Sequence, residues 1–316
     1  MQWEFRLYRR VFRQPLATYH GEWRDRTGII LYLTNALGQV GYGEIAPLPW
    51  FGSETLEQAL EFCQQLPSDL TADLIYSIPA TLPACQFGFE SAWNAVNVVD
   101  RDLSHDLTYS ALLPAGQSAL MAWKALWQQG YRTFKWKIGV GDLQDELQFL
   151  TQLVALLPSD CRLRLDANGG LAYNQAQYWL ERCDSYQLEF LEQPLPPDQL
   201  ALMQQLAANY VTPIALDESI ATLTQLQACY HHSWPGIYVI KPAIVGSPTQ
   251  LRQFCQNHPI DAVFSSVFET AIGRQAGLQL AAELGNRDRA MGYGTTHWFN
   301  HADLEADHLW QTLSPI

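Results

Sequence analysis

The amino-terminal part of the chain opens with apolar positions at the spacing of β-strands. Trp3, Phe5 and Leu7 alternate with polar or charged neighbours, and a period of two is typical of a strand. Two further apolar segments, 28–34 and 40–47, flank a glycine-containing turn and predict a second and a third strand that pair antiparallel. The start of the chain is therefore predicted to be a small sheet.

Helical patterns follow this sheet. The segment 53–66 begins with a serine, has acids in its first turn and then turns amphipathic, which predicts a helix. A second helix is predicted at 87–98, and the proline-punctuated segment 67–84 between them is expected to be irregular. Strands followed by helices predict a small α+β module over residues 1–98.

From residue 107 onwards the pattern becomes strand, loop and helix, repeated. This alternation over roughly 190 residues predicts a (β/α)8-type barrel at 99–300, followed by a C-terminal segment at 301–316. An open doubly wound sheet is the rival, but the first strand–helix turn has no glycine-rich cofactor fingerprint. The predicted strands are 107–113, 133–139, 162–166, 188–192, 213–217, 236–241, 262–266 and 290–294. The predicted helices include 117–129, 144–157, 175–183, 198–209 and 274–284.

Composition narrows the classes of function. The 316-residue chain is 48% hydrophobic and 16% charged, as expected of a well-cored globular protein. Its net charge of −13 argues against nucleic acid or an anionic membrane as the main partner, but a local cluster of lysines can still bind a small anionic substrate. The six scattered cysteines predict free thiols in a reducing cytosol. With neither a signal peptide nor a membrane span in view, the protein is predicted to be soluble and cytoplasmic, as a monomer or a homo-oligomer.

Three of the four lysines lie in predicted strands. Lys135 and Lys137 are two residues apart, so their side chains project from the same face of one strand. Lys241 ends another apolar run. Because a buried ammonium group without a partner is costly, a role in chemistry is favoured over three strand ends that merely reach solvent.

Three carboxylates end successive predicted strands. Asp166, Glu192, Asp217 and then Lys241 follow one another at intervals of 26, 25 and 24 residues, which is one strand–helix unit per step. The carboxyl ends of barrel strands carry active sites, so these side chains are predicted to converge. Converging carboxylates repel one another unless a cation lies among them. Oxygen ligands with positions left open for substrate suit Mg²⁺, for which Mn²⁺ could substitute.

The lysines and the metal together predict acid–base chemistry. A neighbouring ammonium group and a divalent ion are expected to lower the pKa of Lys137 from the ordinary lysine value of ~10.4. With Lys241 on the other side of the barrel mouth, the arrangement predicts removal of a proton α to a carboxylate, with the metal stabilising the enediolate.

These residues resemble the enolase superfamily, which uses lysine bases with magnesium. The Lys135-Trp136-Lys137 motif, the three acids and Lys241 are similar to those of its muconate-lactonising-enzyme-like subgroup. The resemblance implies a (β/α)7β variant of the barrel with an N-terminal α+β capping domain. Within the subgroup the chain resembles the o-succinylbenzoate synthase family in the stretches 43–49, 51–55, 87–92 and 265–273.

That resemblance implies a metal-dependent hydro-lyase. It would dehydrate 2-succinyl-6-hydroxy-2,4-cyclohexadiene-1-carboxylate to 2-succinylbenzoate, a step in menaquinone and phylloquinone biosynthesis. Lys137 would remove the α-proton and return it to the departing hydroxide, Lys241 would stay charged beside the enediolate, and Lys135 would tune Lys137. The implied metal ligands are Asp166, Glu192 and Asp217, with Asn168 and Glu218 in support.

Other parts of the chain are expected to complete the site. Ser265 and Ser266 follow the seventh barrel strand and are expected to contact the succinyl group, although hydroxyls that cap the next helix explain them equally well. Loops near 17–27 and 47–53 are expected to close over the site as a lid. The segment 301–316 is expected to pack back on the capping domain.

Two other functions remain open. An amino-acid or dipeptide epimerase of the same superfamily needs the same lysines and metal, but that resemblance also implies an acidic motif on the eighth strand, and 290–296 contains no acid. A non-catalytic, magnesium-binding scaffold is the alternative from another class. It gives no reason to keep lysines inside strands, so the dehydratase is favoured.

Overall fold

In a computed structural model, the chain is described for residues 1–18, 21–97, 106–300 and 303–315. These residues form a three-stranded antiparallel sheet and an eight-stranded parallel sheet. The strands are β1 (Gln2–Thr18), β2 (Gly21–Thr34), β3 (Val40–Ile45), β4 (Tyr109–Leu112), β5 (Thr133–Lys137), β6 (Arg162–Asp166), β7 (Phe190–Glu192), β8 (Ile214–Leu216), β9 (Ile237–Ile240), β10 (Asp261–Phe264) and β11 (Met291–Gly294).

Helices follow the first sheet and alternate with the strands of the second. The α-helices are α1 (Leu56–Gln65), α2 (Ala72–Tyr76), α3 (Pro83–Asn97), α4 (Ala119–Gln128), α5 (Leu143–Leu156), α6 (Tyr173–Tyr186), α7 (Leu200–Asn209), α8 (Leu223–His231), α9 (Pro242–Val245), α10 (Pro248–Asn257), α11 (Ala271–Leu284) and α12 (Ala306–Thr312). The 3₁₀ turns are Pro49–Phe51, Gly116–Ser118, Pro197–Gln199, Glu218–Ile220 and Thr296–Trp298.

The first sheet is covered on both faces, which explains why its sequence pattern changes along β1. Trp3 packs edge-on against Phe89 of α3 on one face. On the other face Arg6 lies over the ring of Trp310 at 4.0 Å, whereas Leu7 is 38% exposed. The predicted alternation therefore holds for Trp3 and Phe5 and fails at Leu7, where the buried residue is Tyr8 on the opposite face.

Helix α3 starts earlier than predicted, at Pro83. The segment 67–84 was expected to be irregular, but it contains α2 and the first two residues of α3. Proline fits the first turn of a helix because its missing N–H would have no intrahelical partner there. The helix lies so close to β3 that a Cβ on Gly88 would come within 2.7 Å of Ile45 Cγ1.

The parallel sheet is the predicted barrel, and all eight predicted barrel strands are present. Its strands are hydrogen-bonded in the order β10-β9-β8-β7-β6-β5-β4-β11. A parallel bridge between Ser265 and Gly292 joins the two ends of that order. Helical connections link each strand to the next as far as β11, which is the (β/α)7β arrangement. Strand ends that carry the predicted site residues therefore face one common rim.

The three-stranded sheet β1–β3, which we call the cap sheet, contacts α12 and the residue that follows it. Arg6 donates hydrogen bonds to the carbonyls of Trp310 and Leu313, and Tyr42 donates one to Asp307. Residues 98–105, 301–302 and 316 lie outside the described residues, so the predicted domain boundaries at 98/99 and 300/301 stay predictions. Among the described helices, none combines the length and apolar composition needed to cross a bilayer.

Candidate active site

Two lysines and two carboxylates form the first half of a charged cluster at the strand ends. Lys135 Nζ lies 2.8 Å from Glu192 Oε1 and 3.2 Å from Asp166 Oδ2, and Lys137 Nζ lies 3.1 Å from the same Asp166 oxygen. Register explains the convergence: Lys137 pairs with Asp166 across β5 and β6, and Asp166 pairs with Glu192 across β6 and β7. The two lysines share a face because they are two residues apart on β5.

The second half of the cluster is an ion pair between Lys241 and Asp217. Both residues lie one position beyond the last residue of their strands, β9 and β8. Glu192 pairs with Ala215, so Asp217 is two residues further along, as the stagger of tilted barrel strands requires. The ammonium group of Lys241 also lies 4.0 Å from the centre of the Phe51 ring, which comes from the cap.

Burial makes two of the carboxylates unusually basic. Burial raises the pKa of Glu192 to about 7, and the negative charge of Asp166 adds to this effect. Burial also raises the pKa of Asp217 to about 6, although the ammonium group of Lys241 opposes the shift. The site thus holds more buried negative charge than its lysines balance.

Asp166 and Lys135 behave in the opposite way, because their surroundings favour the charged form of each group. For Asp166, burial is outweighed by the ammonium groups of Lys137 and Lys135, which hold its pKa below the usual range. For Lys135, burial is outweighed by Glu192 and Asp166, which hold its pKa above the ordinary lysine value. Both shifts favour the charged forms, the ammonium group of Lys135 and the carboxylate of Asp166.

The donor set fits a divalent metal by its chemistry. Asp166, Glu192 and Asp217 are each no more than 2% exposed, and carboxylate oxygens are the ligands that Mg²⁺ prefers. Within the described ranges, no three Asp, Glu, His or Cys side chains are arranged to hold an ion as they stand, since ammonium groups pair with these carboxylates. The raised pKa values of Glu192 and Asp217 indicate the charge that a divalent ion would balance. Their assignment as ligands stays a prediction.

Asn168 connects the lysine cluster to Glu218. Its φ of 46° lies in the left-handed region, which asparagine tolerates better than most residues. Asn168 Oδ1 accepts a hydrogen bond from Lys137 Nζ at 2.6 Å, and its Nδ2 donates to Glu218 Oε1 at 3.0 Å. Glu218 Oε2 is buried without a hydrogen-bond partner among the described residues, and burial raises the pKa of Glu218. Asn168 and Glu218 therefore adjoin the cluster, and their supporting role stays a prediction.

Ser265 and Ser266 line the same cavity from the end of β10. Ser266 Oγ donates to Glu269 Oε2 at 3.0 Å and accepts from the Phe268 N–H at 2.8 Å. Neither serine caps the following helix: Thr270 is the N-cap of α11 and accepts from Ile272 N–H. The helix-capping interpretation is therefore wrong, and substrate contact stays a prediction.

The cap (the described residues of 1–97) closes one side of the cavity, but only one of the two segments predicted as lid loops is a loop. Residues 21–27 belong to β2 rather than to a loop, and residues 19–20 lie outside the described part of the chain. The segment 47–53 is a loop with a 3₁₀ turn, as expected of a lid, although closure itself stays a prediction. The cap residues that line the cavity are Leu16, Trp23, Leu48, Trp50 and Phe51.

Sequence patterns did not reveal the aromatic contribution of the cap. Trp23 packs edge-on against Trp50 and against Phe268 of the barrel, so aromatic residues of both the cap and the barrel form this wall of the cavity. The one available signal was a tryptophan and a phenylalanine, residues 50 and 51, in a proline-rich loop, where apolar residues have no core to join. Ser110, Leu112 and Thr295 also line the cavity, and nothing in their patterns marks them.

Comparison with known proteins agrees with this architecture. A family model described as Enolase C-terminal domain-like matches residues 119–311, and one described as MenC, N-terminal domain, matches residues 7–96. The chain therefore belongs to the enolase superfamily.

Within that superfamily it resembles o-succinylbenzoate synthases along its length. The o-succinylbenzoate synthase of Thermosynechococcus vestitus is 42% identical over 99% of this chain and 99% of its own length. That of Yersinia pseudotuberculosis serotype O:1b is 31% identical over 84% of this chain and 81% of its own.

Solved structures extend the comparison to three dimensions. The crystal structure of o-succinylbenzoate synthase from Thermosynechococcus elongatus BP-1, complexed with Mg in the active site, has a TM-score of 0.89 at 41% identity and covers 99% of this chain and 100% of that one. A dipeptide epimerase from Enterococcus faecalis has a TM-score of 0.83 at 21% identity, covering 95% of this chain and 92% of that one. The second likeness establishes the fold alone.

Proposed function

We propose that this protein is a Mg²⁺-dependent o-succinylbenzoate synthase. It dehydrates 2-succinyl-6-hydroxy-2,4-cyclohexadiene-1-carboxylate to 2-succinylbenzoate, a hydro-lyase step that serves menaquinone or phylloquinone biosynthesis. The observation that carries the proposal is the convergence of Lys135, Lys137 and Lys241 on buried carboxylates in one cavity. Full-length similarity to o-succinylbenzoate synthases supports the choice of reaction within the superfamily.

Lys137 acts as the base and then as the acid. Its neutral amine takes the proton α to the substrate carboxylate as that C–H bond breaks, and the resulting ammonium group returns the proton to the hydroxyl as the C–O bond breaks. One molecule of water leaves on the same face, and no oxidant or reductant is needed. Asn168 and Asp166 hold the Lys137 nitrogen in place at 2.6 and 3.1 Å.

Lys241 and Lys135 supply fixed positive charge. Lys241 remains an ammonium group beside Asp217 and stabilises the negative charge that develops on the substrate carboxylate. Lys135, kept protonated by Glu192 and Asp166, attracts the same carboxylate. Mg²⁺, or Mn²⁺ in its place, held by Asp166, Glu192 and Asp217, would supply Lewis-acid stabilisation of that charge.

The epimerase alternative receives no specific support. Strand β11 (Met291–Gly294) contains no carboxylate that could hold the α-ammonium group of a peptide. The L-Ala-D/L-Glu epimerase from Bacillus subtilis is 19% identical to this chain, and the dipeptide epimerase from Enterococcus faecalis is 21% identical. Similarity at this level shows the fold only.

A continuous absorbance assay tests the proposal directly. The purified protein is given the cyclohexadiene substrate with Mg²⁺, and loss of diene absorbance is followed together with formation of 2-succinylbenzoate. We expect rapid loss that EDTA stops and that Mg²⁺ or Mn²⁺ restores. No loss of substrate, combined with α-deuterium exchange into N-acyl amino acids or dipeptides, would reject the dehydratase and favour the epimerase.

A further inference from the structure

A buried arginine joins the cap to the barrel beside the cavity. Arg26 of β2 is 2% exposed, and its guanidinium group donates to four backbone carbonyls. Two of the donor–acceptor distances are 2.9 Å, to Val267 and Pro47, and one is 2.8 Å, to Thr27. The fourth acceptor is Ala46.

The charge of Arg26 is balanced in an unusual way. The described residues place no carboxylate within ion-pair distance of its guanidinium group, so the four carbonyl dipoles and the face of the Trp23 ring, 5.7 Å away, compensate its charge. A buried cation without an ionic partner is costly, and an apolar side chain could fill the same space. The geometry that the five-donor fork imposes on its acceptors is what an apolar residue cannot supply.

Three of the four acceptors belong to or adjoin two segments that form the cavity wall, and the fourth, Thr27, is the next residue on β2. Val267 lies in the loop 265–270 after β10, and Ala46 and Pro47 lead into the lid segment 47–53. Residues 265–268 line the cavity from the barrel, and Leu48, Trp50 and Phe51 line it from the cap. Arg26 itself is not part of that lining.

The loop 265–270 is held by its own hydrogen bonds and by contacts from β2 and β3. Phe268 has a φ of 63°, in the left-handed region that a large side chain rarely adopts. The far end of the loop is fixed by Glu44 of β3, which accepts hydrogen bonds from the Thr270 and Gly273 N–H groups. Arg26 fixes the near end through the Val267 carbonyl.

We propose that Arg26 is a positioning residue that determines substrate specificity by holding the loop 265–270 and the lid segment in register. The wall it aligns, residues 265–268 and the lid segment, contributes none of the three lysines, so it is assigned to the non-reacting succinyl chain. This inference rests on the proposed function for the identity of the substrate. Loss of Arg26 therefore weakens substrate binding more than it slows proton transfer.

Arg26→Met removes the guanidinium group and keeps most of the apolar stem. The matched control is Arg6→Met, because Arg6 is also a cap arginine that donates to two backbone carbonyls of a distant segment, those of Trp310 and Leu313. The segment that contains Trp310 and Leu313 does not line the cavity. We expect KM for the cyclohexadiene substrate to rise by about tenfold or more in Arg26→Met with kcat changed by less than about threefold, and both constants to stay near wild type in Arg6→Met.

Chemical rescue provides a readout that a purely structural role would not move. In Arg26→Ala, methylguanidinium in solution is expected to lower KM towards the wild-type value, whereas urea at the same concentration is not. If Arg26→Met does not fold, Arg26→Lys tests the same point, because one ammonium group cannot bridge both segments. Wild-type KM in the folded variant, an equal rise in the Arg6 control, or a loss confined to kcat would overturn the proposal.

Amide hydrogen exchange separates this inference from the proposed function. Faster exchange at 46–53 and 265–273 in Arg26→Met, but not in Arg6→Met, is expected whatever the substrate is. A wild-type protein that does not consume the cyclohexadiene would reject the proposed function alone. Unchanged exchange in those two segments would reject the positioning role even if wild-type turnover is high.

Discussion

Lys137 is fixed in the cavity by acceptors on both sides of its nitrogen, and this geometry suits a group that must take up and release one proton. Lys137→Ala leaves Asp166 and Asn168 without their common donor but removes no backbone contact. We expect turnover to fall by at least about 10³-fold, since a positioned acid–base group contributes roughly 10²–10⁴. The fold and Mg²⁺ binding should persist, which circular dichroism and calorimetry would measure.

The matched control is Lys124→Ala, because Lys124 is an exposed lysine on α4, away from the cavity. Its substitution should leave turnover unchanged. Substantial residual activity in Lys137→Ala would show that another group performs the proton transfer.

At the residue scale, the candidate catalytic side chains were predictable where a residue type is unusual for its position in the chain. Lysines inside strands and acids at regular intervals are rare enough to indicate a site, and the structure brings Lys135, Lys137 and Lys241 together with their carboxylates. Arg26 carried no such signal, because its neighbours in the sequence, Arg24, Asp25 and Thr27, are polar, as in a solvent-exposed segment. Its importance depends on carbonyls of Pro47 and Val267, whose proximity only the tertiary fold creates.

The 3₁₀ turn Pro49–Phe51 brings the ring of Phe51 against a lysine on the barrel. The ammonium group of Lys241 lies 4.0 Å from the ring centre, and a cation–π contact contributes roughly 0.5–2 kcal/mol. In Phe51→Leu we expect kcat/KM to fall by roughly 2- to 30-fold, because Lys241 loses a partner that orients its charge towards the cavity.

Phe62→Leu is the matched control, since Phe62 packs against Phe89 inside the cap and does not line the cavity. Steady-state kinetics of the two variants at equal folded fraction would measure the difference. Equal losses in both would show that Phe51 acts through cap stability alone.

Helix α3 depends on close approach to β3. A Cβ on Gly88 would lie 2.7 Å from Ile45 Cγ1 and 3.0 Å from the Glu44 carbonyl oxygen, so one of these groups must move. Alanine favours an isolated helix over glycine by about 1 kcal/mol, and any loss is therefore steric. We expect Gly88→Ala to lower the free energy of unfolding by about 1–3 kcal/mol in urea titrations.

Gly141→Ala serves as the control, because its new Cβ would meet only Glu146, at the ordinary contact distance of 3.6 Å. It should change the free energy of unfolding by less than about 0.5 kcal/mol. A Gly88 variant as stable as this control would contradict the tight packing of α3 on β3.

At the element scale, periodicity predicted the barrel well because each parallel strand is a short apolar run between amphipathic helices. The predictions were wrong where a strand packs against neighbours on both faces, and where a proline begins a helix. β1 packs the partly buried Trp3 against Phe89 on one face and buries Tyr8 on the other, so its simple alternation breaks. Pro83 was interpreted as part of an irregular segment, although the first turn of a helix accepts proline.

At the scale of the whole molecule, the barrel contains several buried carboxylates whose protonation depends on burial. Burial raises the pKa of Glu192 to about 7, of Asp217 to about 6 and of Glu269 to about 6, each from an ordinary value near 4. The folded protein therefore binds protons more tightly than the unfolded chain across this range. Asp166 shifts the other way, and its pKa lies below the window, so it stays ionised throughout it.

These shifts predict how metal and pH act together on stability. For a carboxyl group with a raised pKa in the folded state, the stabilisation is fully present below its unfolded pKa and is lost as pH rises through its folded pKa. The metal-free protein should therefore lose stability between about pH 4 and about pH 7. A divalent ion binds the ionised carboxylates, so the increase in Tm that millimolar Mg²⁺ produces should grow with pH over the same window.

Thermal unfolding in EDTA and in Mg²⁺ across this pH range measures both effects. Glu192→Gln should flatten the pH dependence in EDTA and abolish the Mg²⁺-dependent increase in Tm, because it removes both the titrating group and a ligand. Glu269→Gln should flatten the pH dependence in part and retain the response to Mg²⁺, since Glu269 lies in the loop after β10 and bonds to Ser266 and the Val267 N–H instead. A Mg²⁺ response that is independent of pH, or that survives in Glu192→Gln, would show that the ion binds elsewhere.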